Sequence, residues 1–218
     1  MNIGVLGGTF DPVHLGHISI AYAAYEEFGL DKVWFMPAGD PYFKDGTSVT
    51  PPSLRLEMTQ IGIRRYNDIF ECSDVEINDT ENTYSAVTFE KLNTLMYPDD
   101  KFFFIMGFDS LNNLHKWYRP DILLKNAVLL CAARDEQLCS EDKMFEVIDR
   151  LKTDYADSDP DIRIIHTPFV DLSSTMVRKM VSEGKDVSEL VGKDLAEFIA
   201  EHHLYQHKNA AEKNKTHH

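Results

Sequence analysis

Gly7-Gly8-Thr9-Phe10-Asp11-Pro12-Val13-His14-Leu15-Gly16-His17 is the stretch of this chain whose residue types and spacing most plainly suit chemistry. Its glycines follow the strand-like Ile3–Leu6, and they let a ligand phosphate approach bare backbone N–H groups. A helix starting near His14 then presents the positive end of its dipole to the same phosphate. His14 and His17 lie on one helical turn, and Gly16 leaves the space between them free of a side chain. Two such donors suit negative charge developing on phosphate. The first strand is followed by neither Gly-x-x-x-x-Gly-Lys-Ser/Thr nor Gly-x-Gly-x-x-Gly, which sets aside a P-loop ATPase and an ordinary dinucleotide-binding domain.

Three further segments hold candidate ligand-binding side chains. The turn-rich stretch Pro37–Gly46 carries Lys44, a cation that could swing over a phosphate. Gly107-Phe108-Asp109-Ser110 leads to Trp117-Tyr118-Arg119. There Gly107 permits close backbone approach, Asp109 can accept from a ribose or orient a substrate hydroxyl, and Trp117 offers a flat face for stacking. In Asp171-Leu172-Ser173-Ser174-Thr175-Met176-Val177-Arg178, three hydroxyls precede an apolar-periodic helix, with Arg178 one turn further on. Free N–H groups and hydroxyls at a helix start bind anions, and a guanidinium can grip phosphate oxygens bidentately. Each segment also has a plainer reading: a surface lysine, a helix cap at Asp109, a packing aromatic at Trp117, a capped helix with a surface arginine.

The elements that must position these residues alternate along the chain. Ile3–Leu6, Val33–Met36, Phe70–Ile77, Phe102–Met106, Val128–Ala132 and Ile162–His166 read as strands. Helical stripes run through Ile18, Ala21, Tyr22, Tyr25 and Phe28, with Gly29 as a cap, and through Leu54, Met58 and Ile61 after Pro51-Pro52-Ser53. Further stripes run through Val87, Leu92 and Leu95, through Met144, Val147, Ile148 and Leu151, and through Met176, Val177, Met180 and Val181 up to Gly184. This is the pattern of an α/β fold, a doubly wound parallel sheet with helices on both faces. In such a fold ligands lie beyond the carboxyl ends of the strands, where strand order reverses.

The 218 residues, 43% of them hydrophobic, suit one domain over 1–206, followed by a polar tail, 207–218, that is expected to fray. A formal net charge of −14 argues against a general nucleic-acid binder, which would carry a basic face. No apolar stretch approaches the roughly 18 residues of a membrane span, and the start Met-Asn-Ile-Gly reads as strand and not as a signal peptide. Cys72, Cys131 and Cys139 show no Cys-x-x-Cys spacing. They read as reduced thiols of a cytoplasmic protein with no zinc site.

The Gly7–His17 stretch resembles the signature of the nucleotidyltransferase superfamily, relatives of class I aminoacyl-tRNA synthetases. Over nearly the whole chain the motifs resemble one family closely, the bacterial nicotinate-nucleotide adenylyltransferases. That resemblance implies a Rossmann-like fold, with ATP gripped by Gly8, Thr9, Phe10, His14, His17, Gly107, Ser173, Ser174, Thr175 and Arg178. It implies nicotinate mononucleotide against Thr83, Tyr84 and Ser85, from Thr83-Tyr84-Ser85-Ala86-Val87-Thr88, and against Asp109, Trp117, Tyr118 and Arg134. His14, His17, Arg178 and Lys44 would carry the chemistry, with Mg²⁺ entering alongside ATP and no dedicated metal site. Two departures stand out: Pro41-Tyr42-Phe43-Lys44 lacks the family's loop histidine, and Arg134-Asp135-Glu136 replaces the usual Arg-Pro-Gly. The nearest alternative is a pantetheine-phosphate adenylyltransferase-like enzyme, whose chains are typically shorter and lack the Trp-Tyr segment. A catalytically silent nucleotide-binding protein and a synthetase-like RNA binder are readings from other classes. The paired histidines weigh against the first, and the lack of a basic stripe weighs against the second. Oligomeric state is left open by the sequence.

Overall fold

The computed structural model describes residues 1–39, 49–79, 84–132, 141–167 and 170–206. Lys44, Thr83 and Arg134, the two departing loops and the 207–218 tail lie outside the described residues. Six strands form one parallel sheet: β1 (Asn2–Gly8), β2 (Lys32–Pro37), β3 (Phe70–Cys72), β4 (Lys101–Gly107), β5 (Val128–Ala132) and β6 (Ile162–Ile165). Their order is β3-β2-β1-β4-β5-β6, so strand order reverses between β1 and β4.

Both faces of the sheet are covered, which is why its strands read as continuous apolar runs. Successive side chains alternate between two cores. Phe103 and Ile105 of β4 and Val128 and Leu130 of β5 enter the one that also takes Ile18, Ala21 and Ala24 of α1 (Leu15–Phe28) and Met58 of α2 (Pro52–Ile63). Phe102, Phe104 and Met106 enter the other, with Phe89 of α4 (Ser85–Lys91), Leu123 of α6 (Pro120–Asn126), and Met144, Val147, Ile148 and Leu151 of α7 (Glu141–Asp154). Gly29 ends α1 at φ 59°, in the left-handed region that a glycine enters without steric cost.

Four expectations are corrected. The strand expected over Phe70–Ile77 stops at Cys72, and Val75–Asn78 form a one-turn helix, α3. The Asp74 carbonyl accepts from Ile77 and Asn78, which turns the chain despite its alternating apolar residues. The stripe through Leu95 breaks because α4 ends at Lys91 and a wider π turn carries Leu92–Met96, leaving Leu95 77% exposed. On α1 the small Ala24 meets the sheet, while Tyr22 faces outward. β6 ends at Ile165, and His166 leaves the ladder to meet Glu27, its N–H donating to Oε2 at 2.8 Å.

Candidate active site

A cleft of about 300 Å³ opens at the carboxyl ends of β1 and β4, the point of strand reversal. Its lining brings together Gly8, Thr9, Phe10, His14 and His17 from the first motif with Gly107, Ser110 and Trp117 beyond β4. Ser173, Ser174, Thr175 and Arg178 close it from α8 (Ser174–Ser182). Segments 160 residues apart in the chain thus meet where the topology directs them.

His14 stands at the N-terminal boundary of α1 with extended backbone, φ −150° and ψ 170°, and is 6% exposed. Its ring lies against that of His17, centroids 3.7 Å apart and planes 31° apart. A Cβ on Gly16 would stand 3.0 Å from His14 Nδ1, so a larger residue here would press on the His14 ring. The backbone N–H of His14 donates to His17 Nδ1 at 3.2 Å. A neutral imidazole accepting at Nδ1 carries its proton on Nε2, so the contact selects the tautomer of His17. The edge of the Phe10 ring supports His17 at 5.0 Å. Phe10 is only 2% exposed and packs on Phe35, so its ring belongs more to the core than to the cleft.

On the opposite wall the Ser173 hydroxyl caps α8 by accepting from Met176 N–H at 3.2 Å. Ser174 donates to the Pro12 carbonyl at 2.8 Å. Arg178 donates through Nη1 to the Asp11 carbonyl at 2.7 Å and through Nη2 to Thr175 Oγ1 at 3.2 Å. These bonds fasten the hydroxyl-rich helix start to the glycine-rich turn and fix the plane of the guanidinium.

Trp117 packs beside Phe104, ring centroids 6.3 Å apart, while still lining the cleft. The next residue, Tyr118, stacks on Tyr84 at 4.5 Å, and Ser85 opens α4 directly after Tyr84. Asp109 sits exposed in the first turn of α5 (Phe108–Asn112); its neighbour Ser110, not Asp109, lines the cleft.

Residues that the motifs did not single out complete the frame. Arg55 of α2 is wholly buried and donates to the carbonyls of Thr50, Thr9, Ala38 and Gly39 at 2.6–2.9 Å. Its signal in the sequence was a charged residue on the same helix face as Met58 and Thr59, both buried. Glu76 of α3 accepts from Thr88 Oγ1 of α4 at 2.9 Å, and Lys91 pairs with Asp79 at 2.6 Å, so two polar contacts hold α4 and its Tyr84–Ser85 start.

Burial pushes the Glu76 carboxyl up to about 7, with Asp79 adding to the rise and the Thr88 bond opposing it. Between the ordinary carboxyl value and 7 the folded chain binds the extra proton, so this group's contribution to stability falls as pH rises through that window. Glu76→Gln keeps an acceptor for Thr88 and removes the ionisation. Urea unfolding is therefore expected to find the variant more stable than the parent at pH 8, by about 1–3 kcal/mol, with the gap closing toward pH 4.5. A gap that does not change with pH would contradict this account.

Comparison with known proteins agrees with the geometry. The Cytidylyltransferase-like family model matches residues 5–180. This chain belongs to that family. A relative from Shewanella frigidimarina named "Probable nicotinate-nucleotide adenylyltransferase" is 37% identical over 214 residues, covering 94% of this chain and all of its own. One of the same name from Lachnoclostridium phytofermentans is 34% identical, covering 93% of this chain and 98% of its own. The chain is a nucleotidyltransferase of this group. Among solved structures, the Plasmodium falciparum nicotinic acid mononucleotide adenylyltransferase complexed with NaAD superposes with a TM-score of 0.75 at 20% identity, covering 94% of this chain and 97% of that one. The same Plasmodium enzyme complexed with APC gives 0.73 at 19% identity, covering 94% and 96%. At these identities the likeness is one of fold.

Proposed function

We propose that this chain transfers the adenylyl group of ATP to nicotinate mononucleotide, giving nicotinate adenine dinucleotide and pyrophosphate, a step of NAD biosynthesis. One observation carries the reading: a single cleft joins the two-histidine turn and the Ser173–Arg178 helix start to Trp117, beside the Tyr84–Tyr118 stack. The first two suit a triphosphate and the aromatics suit a ring, which is the pairing of substrates this reaction needs.

An oxygen of the mononucleotide phosphate attacks the α-phosphorus in line. The new P–O bond forms as the bond from that phosphorus to the β-phosphate bridging oxygen breaks, and the electron pair leaves with pyrophosphate. Phosphate is already a competent nucleophile, so catalysis is positioning plus stabilisation of charge. In this reading His14 and His17 meet the phosphates, Arg178 grips the triphosphate, and Lys44 adds a further cation for it. Mg²⁺ enters as part of the MgATP substrate, held by phosphate oxygens. The cleft's imidazoles, guanidinium, hydroxyls and backbone N–H groups complement the phosphates of that substrate. No helix among the described residues is long and apolar enough to cross a membrane, and the proposed setting is the cytoplasm.

The mononucleotide ring would lie on Trp117, with its carboxylate toward backbone N–H groups near Ser85 and Tyr118. A pocket of donors satisfies a carboxylate fully, whereas an amide gives up a charge-assisted bond worth about 1.5–3 kcal/mol. Pyrophosphate release measured with both mononucleotides is expected to favour the acid over the amide by at least about tenfold in kcat/KM. Trp117→Ala is expected to raise KM for the mononucleotide far more than for ATP. Equal kcat/KM for acid and amide would refute the carboxylate pocket, and no pyrophosphate from either would refute the reaction.

A further inference from the structure

Tyr205 lies at the far end of the chain from the glycine-rich turn, yet its hydroxyl donates to Asp11 Oδ1 at 2.7 Å. Asp11 is 3% exposed. Its other carboxylate oxygen accepts the Thr50 N–H at 3.3 Å, and its backbone carbonyl accepts Arg178 Nη1 at 2.7 Å. One buried residue therefore joins the C-terminal turn, the approach to α2 and the guanidinium of the cleft.

The segment that delivers Tyr205 is held in a costly shape. After α10 (Lys193–Glu201), His203 and Tyr205 adopt left-handed backbone at φ 52° and φ 61°. For residues with a Cβ this conformation is sterically disfavoured, and it persists where the surroundings enforce it. Leu204 and Tyr205 pack against the core, and the Tyr205 hydroxyl lies 3.4 Å from Met58 Sδ. Burial and then the facing Asp11 charge raise the phenol well above its ordinary value, so it remains a donor across the working pH range.

We infer that Tyr205 is a positioning residue for ATP: by fixing the Asp11 carboxylate it fixes the Asp11 carbonyl, and through that the Arg178 guanidinium that faces the triphosphate. The inference rests on the adenylyl-transfer reading above. Tyr205→Phe keeps the ring and its packing while deleting the hydroxyl. Asp11 then loses one of its two side-chain donors and gains freedom to turn, and Arg178 loses a fixed acceptor.

The test is titration calorimetry with a non-hydrolysable ATP analogue on the parent, Tyr205→Phe, Asp11→Asn and the double variant, with steady-state KM for each substrate. Tyr205→Phe is expected to weaken the analogue about tenfold, the scale of one bond to a charged group, and to leave KM for the mononucleotide within about twofold. In the Asp11→Asn background the same change is expected to add less than about twofold, because the two residues act as a unit. Unchanged analogue affinity, equal losses for both substrates, or fully additive effects would each overturn the inference. Should Tyr205→Phe not fold, Asp11→Asn alone decides. It leaves an amide N–H₂ facing one of two donors, and unaltered analogue binding in it would overturn the inference as well. A parent protein that fails to bind the analogue would instead overturn the adenylyl-transfer reading, so the two failures are distinct.

Discussion

His17→Ala is expected to lower turnover by about 10²–10³ while leaving the fold intact, the scale for deleting one preorganised donor to a developing oxyanion. Preorganisation is visible on both sides of the ring. The His14 ring lies tilted against it at 3.7 Å, the Phe10 ring meets it nearly at right angles at 5.0 Å, and the His14 N–H at Nδ1 leaves Nε2 as the proton-bearing nitrogen. A donor held in this way needs no reorganisation as charge builds on phosphate, so its loss acts on the transition state more than on ground-state binding. Accordingly kcat is expected to fall far more than KM for ATP rises. The fold is expected to survive because α1 is anchored by Ile18, Ala21 and Ala24, while His17 is only partly buried. Steady-state kinetics beside a thermal melt checks both halves. A folded variant with near-parental turnover would remove His17 from the chemistry.

The frame of this site was legible in the sequence wherever the signal was local. The strands β1, β2, β4 and β5 are apolar runs because both faces of the sheet are covered, and the sequence marks them to within one or two residues. The glycine-rich turn, the hydroxyl-rich start of α8 and the Gly107 bend each follow a strand, where the rule on carboxyl ends expects a ligand, and all three line the cleft. Signals failed where one turn decides the path. Ser73-Asp74 bends the chain out of a strand-like pattern, and the π turn after Lys91 swings Leu95 off the packed face. Long-range polar contacts left their partners unmarked, even where a helix face hints that a charged residue is buried, as at Arg55. The bond from Tyr205 to Asp11 spans 194 residues, and the four carbonyls that Arg55 collects come from three separate segments. Asp109 stands exposed in the first turn of α5, two residues after Gly107, and its neighbour Ser110 lines the cleft.

Arg55→Leu is expected to destabilise the chain by at least about 3 kcal/mol, the range for removing one partner from a buried charged network. The arginine is fully buried, and its fork reaches the Thr50 carbonyl through Nε, that of Thr9 through Nη1, and those of Ala38 and Gly39 through Nη2. Leucine fills part of the volume but leaves these acceptors without their donors, each at a cost of about 1–3 kcal/mol before relaxation. Arg55→Lys is expected to recover little of the loss. One ammonium cannot span acceptors at the end of β2, in the glycine-rich turn and before α2 at once, whereas a planar guanidinium presents five donors in a fixed fork. Urea unfolding of the three proteins at one pH measures the difference. The outcome bears on function as well as stability, because Thr9 belongs to the turn that lines the cleft and Gly39 abuts α3, where a Cβ would collide with the Glu76 carbonyl. A leucine variant within about 1 kcal/mol of the parent would mean that water or backbone shifts satisfy those carbonyls, and that the turn is held by Asp11 and α8 instead of by Arg55.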